Sequence, residues 1–145
     1  MGIMKKYVLI IITIVLAIVA VVAYKIYDYK VTQNEANNNN KSYNSFYGQE
    51  VLGTDVATLI NKAIDSNEKN SVAIAEDGTY IDNGTNSINI DIKFKDLEET
   101  ITMERINQLD SVRFVQNFGG FNFKCTKIEY HNKTGNVKYM YFEQI

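Results

Sequence analysis

From residue 7 to residue 24 the chain reads YVLIIITIVLAIVAVVAY, eighteen positions without a charge. As a helix, such a run spans about 27 Å, close to the hydrocarbon thickness of a bilayer. A domain built from the remaining residues has no interior able to surround so many unbroken Ile and Val side chains, which argues against a buried core helix. Tyr7 at one end and Tyr24, Tyr27 and Tyr29 at the other stand where amphipathic rings prefer the headgroup region. Lys5, Lys6, Lys25 and Lys30 flank the run and can snorkel toward water. Residues 1–30 are therefore read as a membrane anchor with its flanks, the span covering 7–24.

A cleaved signal peptide is the rival reading, with a basic start at Lys5 and Lys6 and small residues at Val21, Val22 and Ala23. The apolar run is longer than a usual signal core and no Gly or Pro precedes the candidate site, which favours retention. Both readings export the domain. The lysines are balanced across the span, so orientation rests on the short segment before it, which favours N-terminus inside and C-terminal domain outside. The bilayer is thus the expected partner of the N-terminal helix, and the expected location is the cell membrane, with secretion as the alternative. Lipid attachment is disfavoured: Gly2 is followed by Lys6 where a myristoylation signal wants Ser or Thr, and no Cys follows the run.

Charge separates along the chain. Of 15 basic and 17 acidic residues, Lys5, Lys6, Lys25, Lys30 and Asp28 belong to the anchor, leaving 11 basic against 16 acidic and a balance of −5. Nucleic-acid binding needs the opposite sign, because cations neutralising phosphates supply most of the affinity. A single cysteine, Cys125, leaves no internal disulfide, so the core alone must hold the domain. Lys greatly outnumbers Arg, and Asn, Ile and Tyr are plentiful, a bias that A/T-rich bacterial codons produce.

Residues 31–44, VTQNEANNNNKSYN, are polar and low in complexity and read as an Asn-rich linker with its hinge at 37–40. Residues 45–145 read as one α+β domain: an amphipathic helix packed on an antiparallel β-sheet, ending in a C-terminal β-meander. Thr54 is placed to cap the helix, and Val56, Leu59, Ile60, Ala63 and Ile64 follow at helical spacing. A hairpin is expected over 71–81 around Asp77 and Gly78. In 87–95, Ile88, Ile90, Ile92 and Phe94 alternate with polar residues, the pattern of a strand buried on one face. Met103, Ile106 and Leu109 suggest a short helix behind Thr102. Residues 112–118 read as a strand joined through Gly119 and Gly120 to 121–131, with a further turn at 132–135 leading to the last strand.

That last turn implies a register. With Tyr130 opposite Val137, Glu129 meets Lys138, Lys124 meets Glu143, Cys125 meets Phe142 and Ile128 meets Tyr139. Phe123, Cys125 and Phe142 then share one face, and Ile128, Tyr130, Val137, Tyr139 and Tyr141 the other. Those five residues are the candidate partner surface, since Tyr offers broad apolar area with a hydrogen-bonding tip. The competing reading packs them as a second core.

Motifs for chemistry are scarce. Cys125 and His131, the sole thiol and imidazole, would lie about 20 Å apart on one strand, too far for a dyad. Cys125 is expected in the core and His131 exposed beside a turn. One His and one Cys do not make an ordinary zinc site. The oxygen-rich stretch 76–84 lacks EF-hand spacing and reads as turns. Glu98, Glu99 and Glu104 read as solvated charge rather than an acid–base pair. Asn83 and Asn132 begin glycosylation sequons but sit where turns need Asn. No catalytic residue, cofactor site or metal site is assigned.

Phe46-Tyr47-Gly48, then Val51-Leu52-Gly53, Val56 and Leu59-Ile60 behind one apolar N-terminal segment, with Phe123-Lys124-Cys125, Tyr130-His131 and Gly135 downstream, are similar to small exported or membrane-anchored proteins of low-G/C Gram-positive bacteria. That group has no assigned activity, so the resemblance implies a location and no site residues. The expected role is a surface binding or assembly module with a protein partner at the membrane. The alternatives are a secreted domain, an appendage subunit and an enzyme of unrecognised type.

Overall fold

The structure, a computed structural model, describes residues 2–145 and divides into two compact units, residues 1–35 and residues 36–145. Helix α1 (Gly2–Asn44), most of which lies in the first unit, carries an 18-residue window of mean hydropathy 3.0, none of it buried within the protein. It is long and apolar enough to cross a membrane, a description that an N-terminal signal sequence also meets.

The second unit begins inside the segment expected as a linker. Residues 31–44 are helical, and Ala36, Asn40 and Tyr43, at i, i+4 and i+7, are buried in this unit. Asn40 acts as a clamp rather than a hinge: its Oδ1 accepts from Val137 N at 2.7 Å and its Nδ2 donates to Gly135 O at 2.7 Å.

The remaining elements run β1 (Glu50–Leu52), α2 (Gly53–Lys69), β2 (Asn89–Lys93), β3 (Thr100–Thr102), α3 (Met103–Gln108), α4 (Ser111–Phe118), β4 (Asn122–Tyr130) and β5 (Val137–Gln144). The five strands form one sheet in the order β1-β4-β5-β2-β3. This sheet is mixed, not wholly antiparallel as expected, because β2 lies parallel to β5 and every other pairing is antiparallel. Parallel neighbours require a crossover, here supplied by the chain from β3 through α3, α4 and β4.

Helix α2 buries the expected stripe of Val56, Leu59, Ile60, Ala63 and Ile64, joined by Ala57 and Asn67. Thr54 does not cap it. The helix starts two residues earlier, with Leu52 at the N-cap, and its first N–H groups reach the neighbouring turn instead, Gly53 N to Phe121 O at 2.9 Å and Thr54 N to Gly119 O at 3.3 Å. This approach needs glycine at 53, where a Cβ would stand 2.1 Å from Phe118 O; a Cβ on Gly119 would meet Val115 O of its own helix at 2.4 Å and Thr54 Cγ2 of α2 at 3.1 Å.

The C-terminal meander is a two-stranded hairpin, because residues 111–118 are helical. Asp110 caps α4 by accepting from Val112 N. Phe114 and Phe118, four apart, share a stripe that packs on Phe94 with ring centroids 6.2 and 4.6 Å away. Phe123 closes the cluster at 5.8 Å from Phe94. Val112, Phe114 and Phe118 fit strand spacing while Phe114, Val115 and Phe118 fit helix spacing, so in this short run the cap decides for helix.

Elsewhere the local readings hold. Ile88, Ile90, Ile92 and Phe94 are all buried. Thr102 caps α3 by accepting from Arg105 N. The 71–81 hairpin is reduced to a single bridge between Ile74 and Tyr80. Asn67, fully buried, clamps the start of β2 by donating to Ile88 O and accepting from Ile88 N, both at 2.8 Å.

Candidate functional site

Register decides what the sheet presents on its two faces. Tyr130 pairs with Val137, Lys124 with Glu143 and Cys125 with Phe142, as expected. Between them two bulges intervene, leaving Lys138 unpaired on β5 and Thr126 unpaired on β4, so Glu129 meets Tyr139 and Ile128 meets Met140. The two extra residues cancel, which is why both ends keep the simple register while the middle shifts by one. A one-residue shift moves a side chain to the opposite face.

The expected five-residue surface is therefore divided. Val137 is buried, 1% exposed, and Ile128 packs against the core. Both lie on the helix-covered side with Met140, a residue outside the expected five, which is fully buried. Tyr130 pairs with Val137 and is 42% exposed, its hydroxyl donating to Asn44 Oδ1 at 2.7 Å. Tyr139 and Tyr141 alone remain together on the open face, both half-buried.

Around these two rings the register builds a patterned surface. One row across the sheet reads Glu50, Lys124, Glu143, Lys93 and Thr100, alternating in charge. The next reads Lys127, Tyr141, Asp91 and Thr102, and a third Glu129, Tyr139 and Asn89. Tyr139 donates to Asp91 Oδ2 at 3.0 Å, a diagonal bond made available by the parallel β2–β5 pairing. Lys127 Nζ sits 5.4 Å from the Tyr139 ring centroid and 2.6 Å from Glu129 Oε1. Lys138, displaced by its bulge, lies 3.8 Å from Glu129 and 3.9 Å from Asp82.

Burial raises the Asp91 carboxyl above the ordinary aspartate value, with the Tyr139 hydroxyl pulling it back and Glu104 adding to the rise. Tyr139 is raised by burial first and then by the Asp91 charge. Glu129 is lowered, chiefly by the bond from Lys127. The surface thus holds hydrogen-bonding and cation–π groups in one ordered array.

The residues considered for chemistry take structural positions. Cys125 is fully buried and its thiol is raised by burial. His131 is buried, not exposed beside a turn: Nε2 lies 2.7 Å from Ser87 O, which can only accept, so Nε2 carries the proton. Its Nδ1 stands 3.6 Å from Asp82 Oδ1. Glu104 is likewise buried rather than solvated, accepting from Tyr80 N at 3.0 Å. Asp77 and Asp82 close turns onto Thr79 N and Gly84 N at 3.0 and 2.7 Å. Among the described residues no three His, Cys, Asp or Glu side chains converge as metal ligands would.

Two hollows beside the sheet bear on the candidate sites. A cleft of about 690 Å³ between the end of α1 and α2 is lined by Asn38, Tyr43, Asn61, Lys62 and Asp65. Tyr43, whose hydroxyl is the one buried side-chain polar atom without a partner among the described residues, is pushed up to about 12 by burial and the Asp65 charge. Lys62 covers its ring, 5.3 Å from the centroid. A smaller hollow of about 220 Å³ lies among Phe94, Leu97, Ile101, Ile106, Leu109 and Arg113.

Comparison with known proteins returns nothing: no family model, no curated protein and no solved structure matches the chain.

Proposed function

We propose that the chain is a single-pass membrane protein whose domain stands outside the cytoplasm and holds a partner protein on its open sheet face. The observation that carries the anchor is the unburied apolar window of α1, whose side chains find no cover in the protein and so require another apolar medium. The partner surface rests on Tyr139 and Tyr141, held half-exposed in a field of alternating charge. Aromatic anchors inside a polar surround are the usual composition of a protein–protein contact. Of the five candidate residues, Ile128 and Val137 support that surface from beneath and Tyr130 flanks it.

Its test is a photo-crosslinking amino acid at Thr126, the exposed bulge residue beside the Lys127–Tyr141 row, in intact cells. A discrete crosslinked product is expected, and it should vanish when Tyr139→Ser and Tyr141→Ser are combined while the domain stays folded. No product, or a product indifferent to the double substitution, contradicts the partner assignment. Cleavage after Ala23 is the second reading; it keeps export, removes the anchor and leaves the sheet face unchanged.

A further inference from the structure

The 220 Å³ hollow differs from the tyrosine face in every respect. Its floor is Phe94, Ile106 and Phe114, each at most 6% exposed, and its walls include Leu97 and Leu109, exposed at 43% and 53%. Its one charged lining residue is Arg113, which has no carboxylate within 4 Å among the described residues. Ile101 also lines it, and Ile101 belongs to β3, the strand at the end of the sheet order, whose outer edge is unpaired. An apolar hollow, a free guanidinium and an unpaired strand edge therefore meet at one place.

We infer that this corner docks an extended peptide of a partner protein, adding a strand to β3, placing one large apolar side chain in the hollow and a carboxylate on Arg113. Size selects this occupant. About 220 Å³ falls below the roughly 300–1,000 Å³ of sites that enclose whole small molecules, and suits one Leu or Phe side chain. The strand edge supplies the main-chain hydrogen bonds that such short segments need, since alternate N–H and C=O groups of an edge strand point outward. Charge sets the direction. On the loop leading into β3, Asp96, Glu98 and Glu99 outnumber Lys95, and this net negative charge favours the Arg113 rim for the carboxylate. Lys93 does not offset that loop's repulsion freely, because its Nζ is engaged by the carbonyls of Leu97 and Glu98. The site is independent of the tyrosine face and does not require the reading proposed for it.

Methyl NMR of the Ile and Leu groups, on the full chain in lipid nanodiscs, tests this with four probes. These are N-acetylphenylalanine, its amide, hexanoate, and the tetrapeptide acetyl-Thr-Val-Thr-Phe with a free carboxylate. Saturable shifts at Leu97, Ile101 and Leu109 are expected, with the acid bound about fivefold tighter than the amide, the size of one exposed ion pair. Arg113→Gln should erase the acid–amide difference and leave the amide's affinity unchanged. The tetrapeptide should bind tighter than N-acetylphenylalanine through its edge hydrogen bonds. An absence of shifts at these methyls, equal affinity for acid and amide, or hexanoate binding as well as the tetrapeptide would each overturn the proposal, the last by assigning the hollow to acyl chains.

Discussion

Asn40 holds Val137: its Oδ1 accepts the Val137 N–H at 2.7 Å while its Nδ2 donates to Gly135 O at the same distance. One side chain thus satisfies a buried donor at the start of β5 and an acceptor in the turn before it. Asn40→Ala removes both partners and leaves the backbone groups of a buried strand end unpaired, a cost of about 2–4 kcal/mol. Asn38→Ala, at an exposed position two residues earlier, should stay within about 0.5 kcal/mol. Chemical unfolding of the two variants in micelles, followed by tyrosine fluorescence, measures the difference.

The close approach of α2 to the turn after α4 gives a second expectation. Gly53→Ala pushes a methyl to within 2.1 Å of Phe118 O, backbone that cannot step aside cheaply, and should destabilise by about 1–3 kcal/mol. Gly120→Ala meets nothing within 4 Å and should be nearly neutral. Comparison of their unfolding midpoints checks whether that packing, rather than glycine flexibility, sets the requirement.

Asp91 gives a pH dependence with a definite sign. Its carboxyl is raised in the folded state by burial, so folding favours the protonated form. Stability from this group is therefore fullest below the ordinary aspartate value and falls as pH rises through the window between that value and the raised one. Asp91→Asn keeps an oxygen for the Tyr139 hydroxyl and removes the ionisation. It should leave stability little changed in acid and increase it at neutral pH. Asp82, lowered mainly by the Gly84 N–H, and Glu129, lowered mainly by Lys127, drift the opposite way, losing stability as pH falls. The quantity to follow is thus the difference between variant and wild-type melting temperatures across about pH 3 to 8, a range that brackets ordinary and raised carboxyl titration; a constant difference contradicts the burial of Asp91.

Legibility in the sequence followed the length of each signal. The apolar run, the α2 stripe and the Ile88, Ile90, Ile92 and Phe94 alternation are long patterns that one period explains, and all three are found. Residues 112–118 are too short for period alone to separate helix from strand, and the Asp110 cap that decides lies outside the pattern. The paired bulges at Thr126 and Lys138 left both ends of the hairpin in the simple register and hid the shift between them, which moved Val137 and Ile128 to the core and kept Tyr139 and Tyr141 outside. Asn40 looks like its three Asn neighbours in sequence. Only the fold distinguishes it, by bringing Val137 and Gly135 within reach. The hollow beside Arg113 is lined wholly by residues 94–118, but these come from a strand end, a loop and two short helices whose mutual packing no single period describes.

Retention of α1 in the membrane, with the domain outside, is the proposal on which the protein's placement depends. Intact-mass analysis of the membrane fraction, combined with protease added to wall-stripped cells, checks both halves of it. An uncleaved chain in the membrane is expected, with its residues beyond the span digested from outside. A mature chain starting at Tyr24 and recovered from the medium would contradict retention, and a membrane-bound domain that resists the protease until the cells are lysed would contradict the orientation.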